Sequence, residues 1–405
     1  MATVVLIGTL DTKGAEYGFV RERLHAAGVD TVLVDCGTAG APVIEPDVPA
    51  SEVAAAVGAD LAALTAAGDR GSAVTTMARG AEAVALRLHG EGRLDGLLAI
   101  GGSGGTSIAS AAARALPIGV PKLIVSTMAA SDTRPIIGES DLILAASVVD
   151  VAGLNSLSRR ILANAAAAMA GMVSQPALER GADRPLVAAS MFGVTTPSVT
   201  QAREQLESAG YEVLTFHMTG TGGRSMESLI DGGFVAGVLD VTTTELCDEL
   251  VGGVLSAGPD RLTAAGRRGI PQAVSLGALD MVNFGPRETV PAQFDGRNLY
   301  VHNDQITLMR TTPEECAALG REVAAKLSAA TGPTALFVPL RGVSMIAVEG
   351  GPFHDAAADE ALFAAVREGV GPNVELIELD LDVNDPAFSK AMADWLEARL
   401  REAGA

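Results

Sequence analysis

Short apolar runs alternate with longer amphipathic or alanine-rich segments, and this alternation predicts the elements of the chain. The runs at 3–7, 31–34 and 97–100 have the length of buried strands, and helical segments follow each of them. One helix is expected from about residue 15 to residue 27, because Gly28 is typical of a helix C-terminus. Others are expected at 52–67, 73–89 and 107–116. Strands and helices in alternation indicate a doubly wound parallel sheet.

The pattern of the first half recurs in the second, beginning at the strand Pro185–Ser190. With one constant displacement Gly28 falls on Gly210 and Asp35 falls on His217, and at a shorter offset Gly96 falls on Gly237. We therefore predict two α/β domains, residues 1–178 and 179–405, related by a weak internal repeat, with the boundary in the polar stretch 174–184. Further strands are predicted at Asn298–His302, Thr334–Val338 and Val374–Leu379.

Composition restricts the cores and the partners. The chain has 405 residues, which suits about two domains; 48% of them are apolar but only 3% aromatic, so the cores are built from aliphatic side chains, as in parallel sheets covered by helices. The net charge of −20 argues against nucleic acid and anionic membranes as partners. Three widely spaced cysteines form no disulfide framework and fit a reducing compartment. With no apolar run of membrane-spanning length and no room for a signal peptide before the first strand, a soluble cytoplasmic protein is expected.

A glycine-rich turn follows the third predicted strand and is the first candidate for chemistry. Residues 97–100 are apolar, residues 101–105 read Gly-Gly-Ser-Gly-Gly, and an alanine-rich helix follows. A helix start with little side chain exposes backbone N–H groups, which together with the helix dipole favour a bound phosphate. The alternative is a strand-to-helix turn that needs glycine for its own geometry and binds nothing.

The turn matches neither common nucleotide fingerprint. Ser107 stands where a dinucleotide motif has its third glycine, and the next strand ends in Ser126-Thr127 without a carboxylate for a ribose, which argues against NAD. No Lys-Ser or Lys-Thr pair follows the glycines, so the turn is not a Walker A motif. A phosphate-binding lysine would therefore come from the neighbouring first turn, where Lys13 stands beside Asp11, which can orient it or hold magnesium.

Arg79 is a further candidate for phosphate. We expect it at the start of a helix, where a positive charge is unfavourable to the helix dipole unless an anion binds there. The alternative is an ordinary surface arginine.

Several motifs along the whole chain resemble the ATP-binding family that includes the tomato mosaic virus resistance protein. They are Gly8–Lys13, Gly101–Thr106, Leu116–Lys122, Ser147–Asp150, His217–Arg224, Asp240–Glu245, Asp280–Gly285 and Leu308–Thr312. The resemblance implies two Rossmann-like domains with ATP in the first. The residues it places at the nucleotide are Asp11, Thr12, Lys13, Thr38, Arg79, Gly102, Ser103, Gly104 and Gly105. It also favours a homodimer. Some relatives continue into a barrel domain that a separate partner protein would have to supply here.

Polar residues also follow predicted strands of the second half. The candidates for a reaction site are His217, Arg224, Asp240, Glu245, Asp280 and His302. If these strand ends are adjacent, the groups face one crevice, where they could bind a divalent metal or share acid–base work. The turn at 220–223 resembles a second anion site, with Arg224 as a bidentate partner. The alternative is that both histidines are structural and the neighbouring threonines cap helices.

These features favour an ATP-binding enzyme that transfers a phosphoryl or nucleotidyl group. The first domain would hold ATP with Mg²⁺ bound through the nucleotide, and a small anionic metabolite would accept the group in the crevice between the domains. The competing hypothesis is a sensing module that binds ATP without turnover and so orders a dimer or a partner surface. The polar groups of the second half favour the enzyme.

Overall fold

The N-terminal unit contains a five-stranded parallel sheet. The computed structural model describes residues 1–175 and 184–404, and these divide into two units, Met1–Glu179 and Arg180–Ala405. The predicted boundary after residue 178 lies outside the described residues. In chain order the N-terminal elements are β1 (Thr3–Gly8), α1 (Leu10–Ala26), β2 (Asp30–Asp35), α2 (Ala50–Ala55), α3 (Leu61–Ala67), α4 (Arg70–Gly90), β3 (Gly96–Gly101), α5 (Ser103–Ala115), β4 (Lys122–Ser126), α6 (Arg134–Ile137), β5 (Ile143–Ala146) and α7 (Ser156–Val173).

Helices cover both faces of this sheet. Its strand order is β2-β1-β3-β4-β5, and all neighbours are parallel. Because side chains alternate along a strand, Val5 and Ile7 of β1 pack in one apolar cluster with α2, α4 and α5, whereas Val4 and Leu6 pack in another with α1 and α7. Burial on both faces explains why β1 and β3 read as continuous apolar runs.

The C-terminal unit contains a six-stranded parallel sheet and a small antiparallel one. Its elements are β6 (Leu186–Met191), α8 (Thr196–Ser208), β7 (Glu212–His217), α9 (Thr221–Asp231), β8 (Gly237–Thr242), α10 (Glu245–Val251), α11 (Ala264–Arg268), β9 (Gln272–Gly277), β10 (Met281–Phe284), β11 (Leu299–Asn303), β12 (Ile306–Arg310), α12 (Pro313–Ser328), β13 (Thr334–Pro339), α13 (Ala356–Gly369), β14 (Val374–Leu379) and α14 (Pro386–Glu402). The parallel sheet has the order β14-β13-β9-β8-β6-β7, and the antiparallel sheet has the order β10-β12-β11.

The two parallel sheets share one connection pattern. Taken from one edge, β2-β1-β3-β4-β5 corresponds to β7-β6-β8-β9-β13, so the internal repeat expected from the sequence is present in the topology. The fold is therefore α/β, with two Rossmann-like domains. No helix in the described parts of the chain is long and apolar enough to cross a membrane.

Three local predictions need correction. The helix expected at 52–67 is two helices, α2 and α3, separated near Gly58, whose φ of 74° lies in the left-handed region. The helix after the glycine-rich turn begins at Ser103, so Gly104 and Gly105 lie in its first turn. The strand expected at Asn298–His302 exists as β11, but it belongs to the antiparallel sheet.

Candidate functional site

A cavity of about 730 Å³ lies at the carboxyl end of the N-terminal sheet. The strand order reverses between β1 and β3, and ligands of open α/β sheets bind at such a point. Segments after all five strands contribute to the wall. The polar and glycine residues among them are Thr9, Asp11, Thr12, Lys13, Thr38, Gly102, Ser103, Gly104, Gly105, Thr127 and Asp150.

The hydroxyl of Tyr17 lies between the ends of β1 and β3, beyond their last paired residues. The two strands pair only as far as Ile7 and Ala99. Beyond that point the Tyr17 hydroxyl accepts a hydrogen bond from the Ile100 amide at 2.8 Å and donates one to the Ile7 carbonyl. Burial raises the pKa of Tyr17, so the phenol stays protonated and keeps its donor. A side chain on Gly8 would overlap the tyrosine ring, because its Cβ would lie 2.1 Å from the hydroxyl oxygen.

The start of α5 presents free backbone N–H groups to the cavity. Gly102 is the N-cap residue and offers no side chain for capping, so the first-turn amides have no partner within the helix. Gly101 must be glycine because a Cβ there would lie 2.8 Å from the backbone of Gly105. Gly104 is different, since its Cβ would meet only Val74 and Arg70, at 3.8 and 3.9 Å. The turn is therefore tightly packed at Gly101 but has free space at Gly104, which lines the cavity.

The first turn of α1 places a carboxylate and an ammonium group at the cavity wall. Lys13 interrupts the helix with φ −129° and ψ 19°, and its Nζ donates to the carbonyl of Val151. Asp11 Oδ2 accepts from the Ala39 amide at 2.9 Å, whereas its buried Oδ1 has no hydrogen-bond partner in the described part of the chain. Asp35 Oδ1 fixes the turn by accepting from the Leu10 amide at 3.0 Å.

The arginine prediction is wrong in position. Arg79 lies in the middle of α4, exposed, and does not line the cavity. Arg70, the first residue of α4, does line it and lies against Gly104. Asp69 caps this helix by accepting from the Ser72 amide at 3.1 Å. An aspartate followed by a helical segment is a recognisable helix start, so the sequence contained a signal for Arg70 that we assigned too far along the chain.

The opposite wall of the cavity is apolar. It is formed by side chains of α3, α4 and α5, namely Leu64, Val74, Met77 and Ile108. Cys36 also lines the cavity, but burial raises the pKa of its thiol, so it remains a neutral apolar group and not a nucleophile. The cavity suits a ligand with one anionic end and one flat apolar end.

The C-terminal candidates Asp240 and Glu245 are paired with a buried arginine. Arg261, which we did not predict, donates to the two carboxylate oxygens of Asp240 at 2.6 and 2.7 Å and to Glu245 at 2.8 Å. Its side chain is completely buried. A bidentate ion pair of this kind satisfies both charges within the protein. These carboxylates are therefore structural in this arrangement.

The predicted second anion site is occupied by the protein itself. Glu245 Oε1 accepts from the amides of Gly220 and Gly223, at 2.7 and 3.1 Å. Arg224 donates to the carbonyl of Ser256 at 3.0 Å. In the repeat, the end of β8 corresponds to the end of β3, but buried threonines and Glu245 replace the glycines. The start of α10 therefore differs from the glycine-rich start of α5.

The remaining candidates lie at the end of β7, within β11 and between β9 and β10. His217 ends β7, is exposed, and packs with its ring 5.3 Å from that of Phe192. His302 lies within β11 of the antiparallel sheet, not at the end of a parallel strand. Asp280 is fully buried, accepts from the Ser344 hydroxyl at 2.8 Å, and has its pKa raised to about 6 by burial. Among the described residues no group of three or more His, Cys, Asp or Glu is placed to hold a metal ion.

Two family models match almost the whole chain. They are described as the N-terminal and C-terminal domains of an uncharacterised protein family (UPF0261) and match residues 2–177 and 184–400. A UPF0261 protein of Clostridium tetani is 50% identical over 97% of this chain and 98% of its own length. The ToMV resistance protein Tm-1(GCR237) of Solanum lycopersicum is 39% identical over 96% of this chain and 55% of its own length, which confirms the predicted relationship to that protein.

Solved structures resemble this chain only distantly. UDP-N-acetylglucosamine 2-epimerase from Rickettsia bellii aligns over 100% of this chain and 96% of its own at 11% identity, but with a TM-score of only 0.23. The relationship rests on the sequence matches, which extend through both units. The chain belongs to the uncharacterised protein family UPF0261.

Proposed function

We propose that the cavity of the N-terminal unit binds ATP. The observation that carries this proposal is the uncapped start of α5, which faces a cavity that Lys13 and Arg70 also line. Backbone amides, a helix dipole and two cations converge on one place, and this combination favours a polyphosphate over a neutral ligand. The net charge of −20 makes such a local cluster necessary, because the protein as a whole repels anions.

The other dimensions of the cavity support a nucleotide. A volume of about 730 Å³ lies within the range of about 300–1,000 Å³ usual for small-molecule sites. The apolar wall of Leu64, Val74 and Met77 suits the faces of a purine ring, while Thr38 and Thr65 offer hydroxyls near the same end. In this orientation the base lies between α3 and α4 and the phosphates lie at α5.

A magnesium ion would enter with the nucleotide. Mg²⁺ in such sites is held by one or two carboxylates together with phosphate oxygens and water. Asp11 fits this role, because its buried Oδ1 lacks a partner and its residue lines the cavity, and Asp150 is the second carboxylate of the wall. Bound there, the ion would neutralise charge on the phosphates.

For the chemistry we propose phosphoryl or nucleotidyl transfer to a small anionic metabolite. An acceptor oxygen forms a bond to phosphorus while the bond to the bridging oxygen breaks, and ADP or pyrophosphate leaves. Lys13 and the α5 amides stabilise charge on the transferred group. A second function, ATP sensing without turnover and coupled to a homodimer or partner surface, is favoured by the C-terminal ion pairs. Asp240 and Glu245, which supported an enzyme, are bound to Arg261.

Titration calorimetry with Mg-ATP tests the binding site through two arginines of one helix. Arg70→Met should weaken ATP binding about tenfold or more, the effect of a lost charge-assisted hydrogen bond. Arg79→Met is the matched control and should leave the affinity unchanged, since Arg79 is exposed and is not a lining residue. Absence of ATP binding, or an equal loss in both variants, would overturn the proposal.

Product analysis separates the two functions. The protein is incubated with Mg-ATP and a panel of sugar acids and other small carboxylates, and nucleotides are resolved by ion-exchange chromatography. Formation of ADP or AMP that depends on one acceptor supports transfer. Tight binding with intact ATP across the panel supports the sensor.

A further inference from the structure

The position of the Lys13 ammonium group depends on a segment far along the chain. Lys13 departs from helical geometry, so α1 alone does not direct its side chain. Its Nζ instead donates to the carbonyl of Val151, which lies in the segment 147–155 between β5 and α7. The same segment carries Asp150, whose side chain lines the cavity. Whatever holds this segment therefore places both a cation and a carboxylate at the site.

The segment does not hold its own shape by backbone preference. Val148 has φ 64°, a left-handed conformation that is strongly disfavoured for a β-branched residue, and 76% of its surface is exposed. Burial of Val148 therefore does not stabilise this conformation. Hydrogen bonds within the segment, such as that from the Ser147 hydroxyl to the Val149 carbonyl at 2.7 Å, and contacts with the rest of the unit hold it in place.

Glu16 provides such a contact from α1. Its Oε1 accepts a hydrogen bond from the Gly153 amide at 2.7 Å, and the residue is only 1% exposed. Glu16 follows Lys13 by three positions, and both side chains make hydrogen bonds to the segment 147–155. The two residues thus bind the same backbone segment, Glu16 at the Gly153 amide and Lys13 at the Val151 carbonyl. A carboxylate is costly to bury, and an apolar side chain could fill the space but could not hold the Gly153 amide.

We propose that Glu16 is a positioning residue for the phosphate-binding Lys13. Through Gly153 it fixes the Val151 carbonyl, which in turn fixes the ammonium group of Lys13 at the cavity wall. This role rests on the proposed function, since it concerns how the same site recognises phosphates. Its consequence is a specific dependence on the number of phosphates, because Lys13 lies at the phosphate end of the cavity and not at its apolar wall.

Affinities for Mg-ATP, Mg-ADP and AMP, measured by calorimetry in Glu16 variants, test the proposal. Glu16→Met keeps the packing volume and removes the acceptor, and it should weaken ATP binding about tenfold, ADP less, and AMP least. Glu16→Gln retains an oxygen that can accept from Gly153 and should restore most of the affinity. Glu22→Met, an exposed glutamate of the same helix, is the control and should behave as wild type.

A double-mutant cycle shows whether Glu16 acts through Lys13. Once Lys13→Met has weakened ATP binding, adding Glu16→Met should cost little more. Equal loss for all three nucleotides, or full additivity in the cycle, would overturn the positioning role. The role would also be overturned if Glu16→Met bound ATP as tightly as the wild-type protein while Lys13→Met alone weakened binding. Absence of ATP binding in the wild-type protein would instead overturn the proposed function.

Hydrogen exchange in the wild-type protein keeps the proposal testable if Glu16→Met does not fold. Phosphates that bind Lys13 should stabilise its contact with Val151 and so restrict the segment 147–155. ATP should therefore slow amide exchange in peptides that cover this segment, and AMP should not. Unchanged amide exchange in that segment at saturating ATP would refute the proposal that Glu16 positions Lys13 through this segment.

Discussion

Replacing Gly104 by valine should affect ligand binding at the cavity without affecting the fold. A Cβ at this position would meet only Val74 Cγ2 at 3.8 Å and Arg70 Nη2 at 3.9 Å, which are ordinary contacts. Gly104 lies in the first turn of α5, and valine is slightly more favourable than glycine in a helix. We therefore expect the unfolding free energy to change by less than about 1 kcal/mol.

The cost to a phosphate should be much larger. The two methyl groups of valine would project from the first turn into the space in front of the α5 amides. Loss of two hydrogen bonds to a charged group, each of about 1.5–3 kcal/mol, amounts to at least about 3 kcal/mol. That corresponds to roughly a hundredfold increase in the Kd for ATP.

Calorimetric titration with Mg-ATP, together with thermal unfolding of the same samples, measures both quantities. Gly171→Val is the matched control, because Gly171 lies in α7 and a Cβ there would meet nothing within 4 Å. It should leave the affinity unchanged. A folded Gly104→Val protein that binds ATP within about twofold of wild type would refute the assignment of the phosphates to α5.

Three further changes test the roles assigned to buried polar groups in the two units. Tyr17→Phe removes the hydrogen-bond partner of a backbone amide in β3 and of a backbone carbonyl in β1. It should lower the unfolding free energy by about 1–3 kcal/mol in urea titrations. Wild-type stability would show that the two strands can pair without the hydroxyl. Arg261→Met leaves two buried carboxylates without their cation and should cost about 3–5 kcal/mol by the same assay. A stable variant would mean that those carboxylates take up protons at little cost. Burial raises the pKa of Asp280 from 3.8 to about 6, so the folded state holds a proton that the unfolded state releases, and stability falls as pH rises through that window. Asp280→Asn should remove this part of the slope, and an unchanged difference between wild type and variant from pH 4 to pH 6 would contradict the shift.

Predictions from local pattern succeeded for the first three strands. The apolar runs that became β1, β2 and β3 have both faces buried, so their sequences show burial without any knowledge of their neighbours. Helix boundaries were less accurate, because Ser103 to Gly105 form a first helical turn despite their high glycine content. The first-turn amides of α5 are available to a ligand. Helix propensity does not predict this, because it depends on residue type and not on ligand contacts.

The second half shows the limit of reasoning from strand ends. His302 was expected beside the parallel strands, yet β11 pairs with β12 in a separate sheet. Glu245 was expected to serve a ligand, yet it fills the turn at Gly220 and Gly223 and pairs with Arg261. A polar residue after a strand has the same appearance in sequence whether it faces a ligand or a buried partner.

The sequence by itself determined the α/β fold, the repeat and the glycine turn of this protein. These depend on hydrophobic periodicity and on the small size of glycine, both of which act over a few residues. Only the tertiary structure decided which charges are free and which are paired. Arg70 lines the cavity and Arg79 does not, and Arg261 neutralises carboxylates more than ten positions away, because such contacts depend on how distant segments pack and leave no periodic trace in the chain.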